Sequence, residues 1–392
     1  MRVPLLDLSE QYAALATPIR AEIEEVLAKQ QFILGPKVEQ FEKAVAEYCR
    51  SPHAIGVSSG TDALLAVFMG MDLKPGDAVI TSDYSFFATG GCVARVGATP
   101  VFIDIDPVTY NISTTALERY LETCESDAQG NLRTPKGDRV RAIVPVHLFG
   151  LCCDMDRIME IAGRFQLPVI EDAAQALGAE YLFRGQALKA GTMGESGTFS
   201  FYPSKNLGAA GDGGMIACRE ETFAQRLRHC RQHGMEPRYY HDFIGGNFRL
   251  DEIQAAILNV KLPHLDEWSE ARRRVADNYR AEFQRLGLQL IALPAEPYRE
   301  NGLKNHHIYH QYVIRTQRRD ELREHLSRRE IGTAIYYPVG LHAQECFRYL
   351  GYQSEDFPET DRAARETLAL PIYPELSGEA QRYVAESIAE FF

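Results

Sequence analysis

No apolar run in this chain reaches the eighteen or so residues that a membrane-crossing helix needs. Met1 leads straight into Arg2-Val3-Pro4-Leu5-Leu6-Asp7 with no secretory apolar stretch, so a cytoplasmic protein is expected. Cysteine offers no framework either. Of the eight, only Cys152 and Cys153 adjoin and no C-x-x-C pair occurs, which favours buried free thiols in a reducing compartment over zinc or disulfide chemistry. No G-x-G-x-x-G follows the first strand and no G-K-[ST] loop is present, which weakens dinucleotide-oxidoreductase and nucleoside-triphosphatase readings. Basic residues are outnumbered, and the net charge of -12 argues against nucleic acid as a partner. A small anionic ligand stays open, because local donors can hold a phosphate whatever the overall charge.

What is present is ordinary globular composition, 45% hydrophobic and 24% charged, over 392 residues, a length that normally divides into more than one domain. Helical spacing runs from Thr17 through Leu27 and again through Val38, Phe41, Val45 and Tyr48. Short apolar runs then alternate with helices: Ala54–Val57, Ala78–Ile80, Thr99–Ile103, Arg141–Val146, Pro168–Ile170, Thr198–Phe201 and Gly214–Ala217. Such runs suit a sheet covered on both faces, hence an α/β domain. The polar stretch from Glu125 to Asp138 lacks periodicity and predicts a surface loop. A long helical region from Leu250 to about Leu286, broken near Pro263, leads to a smaller α+β part in which His307–Ile314 alternates like a strand and Arg319–Arg329 is helical. The expected division is residues 1–253 and 254–392.

Three segments carry chemistry. Ser59-Gly60-Thr61-Asp62 joins a strand to a helix, where free amides and the Thr61 hydroxyl can cradle a phosphate; alone such a turn is more often a helix cap. Glu171-Asp172 ends a hydrophobic strand, and an acid there can hold a protonated ring nitrogen, though a cap or fold-stabilising role also fits. Ser200-Phe201-Tyr202-Pro203-Ser204-Lys205 places a lysine just past the next strand and before the glycine-rich Gly208–Gly214 turn. Burial there favours the neutral amine that a Schiff base requires; an exposed turn lysine is the plainer alternative. His306-His307-Ile308-Tyr309-His310 has the look of a metal site, but strand alternation would point these side chains in opposite directions, and no metal is expected.

These segments occur in one chain order on three strand ends. Together with Pro4-Leu5-Leu6-Asp7-Leu8, Phe32-Ile33-Leu34-Gly35-Pro36, Gly246-Asn247-Phe248-Arg249-Leu250 and Tyr336-Tyr337-Pro338, they resemble the DegT/DnrJ/EryC1/StrS sugar aminotransferases over nearly the whole chain. The resemblance implies a fold-type I pyridoxal-phosphate (PLP) transferase, with a mostly parallel three-layer large domain and a smaller C-terminal α+β domain. It implies catalysis by Lys205 and Asp172, with PLP held by Gly60, Thr61, Phe86, Asp172, Gln175, Ser200 and Lys205. Asn247 is implied to reach the cofactor of a neighbouring subunit, which makes a homodimer with shared sites the expected unit. His147, Arg249, His310, Tyr336 and His342 are implied as supporting or substrate contacts, each with a packing alternative. L-Glutamate is the implied amino donor, and the acceptor a keto-sugar on dTDP or UDP. Amination at C3 is favoured over C4. A sugar dehydratase of this kind would carry histidine in place of Lys205, and a catalytically silent regulator would not need the Lys205, Asp172 and Phe86 set.

Overall fold

The structure, a computed structural model, describes residues 1–392. Seven strands build the main sheet: β1 (His53–Val57), β2 (Asp77–Ser82), β3 (Thr99–Ile103), β4 (Arg139–Val144), β5 (Ile170–Asp172), β6 (Ser196–Ser200) and β7 (Gly214–Cys218). They lie side by side in the order β1-β7-β6-β5-β4-β2-β3, with β5 joined to β4 by the parallel bridges Ile143–Val169 and Val146–Asp172. Only β7 runs against the rest, pairing antiparallel with both β1 and β6. The sheet is therefore mostly parallel, as expected.

Every residue of β2 is buried, because both of its faces are covered. Ala78 and Ile80 face a core shared with Phe41, Leu117 and Ile158, whereas Val79 faces Leu64, Phe68 and Leu227 on the other side. Period-two alternation along one strand thus feeds two cores, which makes three layers. Connections are capped from nearby sequence. Ser59 takes the amide of Asp62 and starts the helix Gly60–Gly70. The buried Glu252 carboxylate accepts from the amides of Gly35, Lys37 and Val38, so a residue more than two hundred positions away caps the helix Pro36–Cys49.

The helix Glu252–Lys261 ends in the 3-10 turn Leu262–His264, which contains Pro263, and the helix Leu265–Arg285 follows. Its first turns, at Leu265 and Trp268, belong to the large core. Val275, Tyr279 and Phe283 lie in a second core with Tyr312, Leu326, Leu370 and Val384. There the strands Tyr312–Arg315 and Thr367–Leu370 pair antiparallel beside the helices Arg319–Arg328 and Gly378–Ala389, an α+β arrangement.

Three expectations are corrected. The polar stretch after Cys124 is not only loop: Glu125–Ser126 and Leu132–Arg133 pair as a short hairpin at the rim of β4, held by Asp127, which accepts from the Asn131 amide and from Arg133. His307–Ile314 is a strand only from Tyr312, since Tyr309 sits at φ 45° and breaks the extended run; His307 stacks on it at 3.9 Å between ring centroids. Cys346 is exposed; six cysteines are buried, Cys124 is half-buried, and all eight are free thiols.

Candidate active site

The C-terminal ends of β5 and β6 and the start of the helix after β1 meet on one side of the sheet, where open α/β sheets bind ligands. At the first of these ends, Glu171 and Asp172 point to opposite faces. Glu171 is spent internally, accepting from the amides of Gly191, Met193 and Gly194 and bonding to His147 Nε2 at 2.8 Å. His147 is completely buried, and its Nδ1 accepts from the Cys153 amide, so its Nε2–H donates to Glu171. Its backbone N–H donates to the Asp172 carbonyl at 3.0 Å. His147 thus braces the strand end from behind and offers no free nitrogen to a ligand.

Asp172 is 5% exposed. Its Oδ2 accepts from Thr89 Oγ1 at 2.7 Å and its Oδ1 from the Ala174 amide at 3.1 Å, leaving lone pairs free. Burial raises its pKa above the usual carboxylate range; the bonds from Thr89 and Ala174, and then the charge of Lys205, pull the other way. Phe86 is 56% exposed, which removes core packing as its role, and its ring lies 6.3 Å from that of Tyr337. Tyr337 OH accepts from Gln175 Nε2 at 3.0 Å, while Gln175 Oε1 accepts from the Phe149 amide. Tyr84 OH takes the Tyr337 amide, fixing this rim to the core.

Beyond β6, Lys205 lies half-buried in a turn, followed by the buried residues Asn206 to Ala209. Burial lowers the pKa of its amine to about 8, with the Asp172 carboxylate opposing. Reductive methylation of the cofactor-free protein, read residue by residue by peptide mass spectrometry, is therefore expected to label Lys205 with a midpoint near pH 8. Exposed lysines should show midpoints about two units higher. A Lys205 midpoint matching theirs would contradict the desolvated setting. His310 is buried beside it, bonded through Nδ1 to Asn206 Oδ1 at 3.2 Å; burial and the charges of Lys205 and Arg272 hold its pKa well below the imidazole range.

A Cβ added to Gly60 would meet Ser200 Cβ at 2.7 Å, so only glycine lets the helix start approach the end of β6 this closely. The first amides of that helix, at Gly60 and Thr61, have no helical partner and face the same end. A phosphate suits this cradle, a neutral amine the position of Lys205, and a protonated ring nitrogen the free lone pairs of Asp172.

Not every expected residue joins the cluster. Phe248 O accepts from the Ser58 amide at 3.0 Å and Arg249 bridges to Val57, which sets this segment beside the phosphate-type turn. The Asn247 side chain is exposed and bonds to nothing in its own chain. His342 is engaged within its own chain. Its Nδ1 lies 2.5 Å from Asp83 Oδ2, its Nε2 3.6 Å from Asp361, and its ring stacks on Phe357, so both nitrogens face carboxylates in a buried pair. Burial works against its protonation, yet Asp83 prevails and its pKa is raised. Tyr336 lines a small cavity next to Ser204 and His310. Sequence reasoning missed Thr89, whose only signal is a hydroxyl just before Gly90-Gly91, and Asn206, the residue after the lysine.

Comparison with known proteins matches this geometry to one group. The sequence profile of the DegT/DnrJ/EryC1/StrS aminotransferase family matches residues 14–389. Among curated relatives, a "Pleiotropic regulatory protein" of Geobacillus stearothermophilus is 45% identical, covering 100% of this chain and 99% of its own length. A UDP-N-acetyl-3-dehydro-alpha-D-glucosamine 3-aminotransferase of Acidithiobacillus ferrooxidans is 39% identical over 98% of this chain and 97% of its own. Among solved structures, S. venezuelae DesV in complex with a ketimine intermediate superposes with a TM-score of 0.89 at 38% identity, covering 100% of this chain and 98% of that one. With its mostly parallel sheet, its buried Asp172 and its desolvated Lys205, this chain belongs to the DegT/DnrJ/EryC1/StrS aminotransferase family of PLP-dependent enzymes.

Proposed function

We propose that this protein transfers the amino group of L-glutamate to the 3-keto group of a hexose carried on UDP or dTDP, as a homodimer with shared sites. The observation that carries the chemistry is the desolvated Lys205 amine facing the buried Asp172 carboxylate. The sugar class and position are supported by the likeness to a 3-aminotransferase of a UDP-linked sugar. The dimer is supported by an exposed apolar set close in sequence to Asn247, namely Tyr239, Tyr240 and Ile244, together with Phe86.

PLP supplies an aldehyde for an incoming amine and a conjugated ring that accepts the electron pair released at the donor carbon. Gly60, Thr61 and Ser200 would hold its phosphate, Phe86 and Gln175 would flank its ring, and Asp172 would keep the ring nitrogen protonated. Thr89 fixes the Asp172 carboxylate in the orientation needed. Lys205 Nζ is the attachment point. Freed from the cofactor, Nζ would be placed to hold and hand on a proton, a task that its pKa, lowered to about 8, suits near neutral pH.

A second reading, a regulator without turnover, is favoured by the 45% identity to a protein named for regulation. One experiment separates the two. The PLP-loaded protein is mixed with L-glutamate and its visible spectrum followed; 3-keto and 4-keto sugars on UDP and dTDP are then added and the products analysed by mass spectrometry and NMR. Conversion to the amine form followed by a 3-amino sugar is the expected result. A 4-amino product would overturn the position, and no conversion with any donor would favour the regulator.

A further inference from the structure

Arg272 is 3% exposed and lies on the helix Leu265–Arg285 that links the two cores. One nitrogen, Nη1, donates to the carbonyls of Tyr309, His310 and Ile372 at 3.1, 3.4 and 3.0 Å. The buried Nε has no partner at all. No carboxylate lies within ion-pair distance; Glu375 is the acid that acts on it, and burial outweighs that influence, lowering the guanidinium pKa to about 10. A buried cation without a counter-charge is costly, and such groups are normally paired.

Arg272 lines a cavity of about 40 Å³ with Leu5, Ser204, Gln311 and Tyr336. That volume holds about three waters, or one carboxylate. Gln311 Oε1 is also buried and unpartnered, and Leu5 belongs to the N-terminal Pro4–Leu8 segment, whose Leu5 carbonyl accepts from the Ile372 amide. His310 also lines this cavity and bonds through Nδ1 to Asn206, the residue after the catalytic lysine. With Ser204, the residue before Lys205, in its wall as well, the cavity adjoins the turn that carries the amine.

We infer that Arg272 is the subsite for the distal carboxylate of a dicarboxylic amino donor, with Leu5 and Tyr336 as its walls. This rests on the aminotransferase reading above. In a donor whose α-amine reaches the cofactor carbon beside Lys205, two methylenes carry the second carboxylate further from the lysine's turn than the α-carboxylate, toward the cavity that Arg272 and Ser204 share. A guanidinium with an unpartnered Nε and no counter-charge matches a carboxylate in charge and hydrogen bonding.

The test follows the donor half-reaction by visible absorption in the PLP-loaded protein, with L-glutamate and with L-alanine as donors. Arg272→Gln is expected to raise the half-saturating L-glutamate concentration about 100-fold and to leave that of L-alanine within about threefold. Arg272→Lys, which keeps the charge without the fork, should fall between. Equal loss with both donors would overturn the assignment, because it marks a packing role or an α-carboxylate contact. Unchanged L-glutamate saturation would overturn it too. Should both variants fail to fold, the wild type decides: glutarate is expected to compete with L-glutamate at least about tenfold better than butyrate, and equal competition would sink the idea. Failure of the aminotransferase reading is distinguishable, since wild type would then convert with neither donor.

Discussion

Lys205→Ala is expected to lower transamination by about 10⁴-fold or more and to abolish the lysine-linked visible absorption of the cofactor-loaded protein. Two losses would combine in this variant, because the proposed roles make one amine both covalent anchor and proton carrier. Its burial is what makes both possible: desolvation lowers the amine's pKa to about 8, so a useful fraction is neutral near neutrality. Activity would be read by coupled assay of the keto acid released from L-glutamate, and attachment by absorption and by mass after borohydride reduction. The variant should remain folded, since burial of the Lys205 amine outweighs its attraction to Asp172. Retention of more than a few per cent of wild-type turnover would remove Lys205 from the mechanism.

Asp172→Asn separates the second contribution. Asparagine keeps the shape, can accept the Ala174 amide, and can turn its NH₂ to the Thr89 hydroxyl, which accepts as readily as it donates. What it lacks is the negative charge. The expected loss is about 10³-fold in kcat, the scale of removing one preorganised electrostatic group, with covalent attachment to Lys205 preserved. Stability should move the other way. Asp172 has a folded pKa above its unfolded value, so the ionised group costs folding free energy once pH rises past that unfolded value. The cofactor-free variant at pH 7 is therefore expected to melt no lower than wild type. A variant that lost activity only in proportion to a lower melting temperature would show Asp172 to be a fold residue.

The frame of the site was legible because it is written in strand ends. Apolar runs closed by Gly60-Thr61, Asp172 and Lys205 survive in one dimension, and the sheet brings such ends together. What escaped depends on contacts between distant segments. Nothing in Glu171-Asp172 says which acid is free; the answer lies in the amides of Gly191, Met193 and Gly194, which claim Glu171. The histidines misled for a similar reason. His307–Ile314 alternates convincingly until Tyr309 turns left-handed, and His342 resembles a ligand contact until Asp83 arrives from a segment 259 residues away. Thr89 and Arg272 carry no motif at all. Their meaning is set by what surrounds them after folding.

The ladder between β6 and β7 pairs Ser200 directly with Gly214, so the segment carrying Lys205 leaves and rejoins the sheet at one rung. Its two ends are mechanically short-circuited through the large core. Any swing of the C-terminal unit about the helix Leu265–Arg285 would then reshape the walls around the reacting groups while leaving the amine's anchor where it was. Adaptation to differently shaped acceptors could proceed by changing the moving wall, with no need to retune the fixed one.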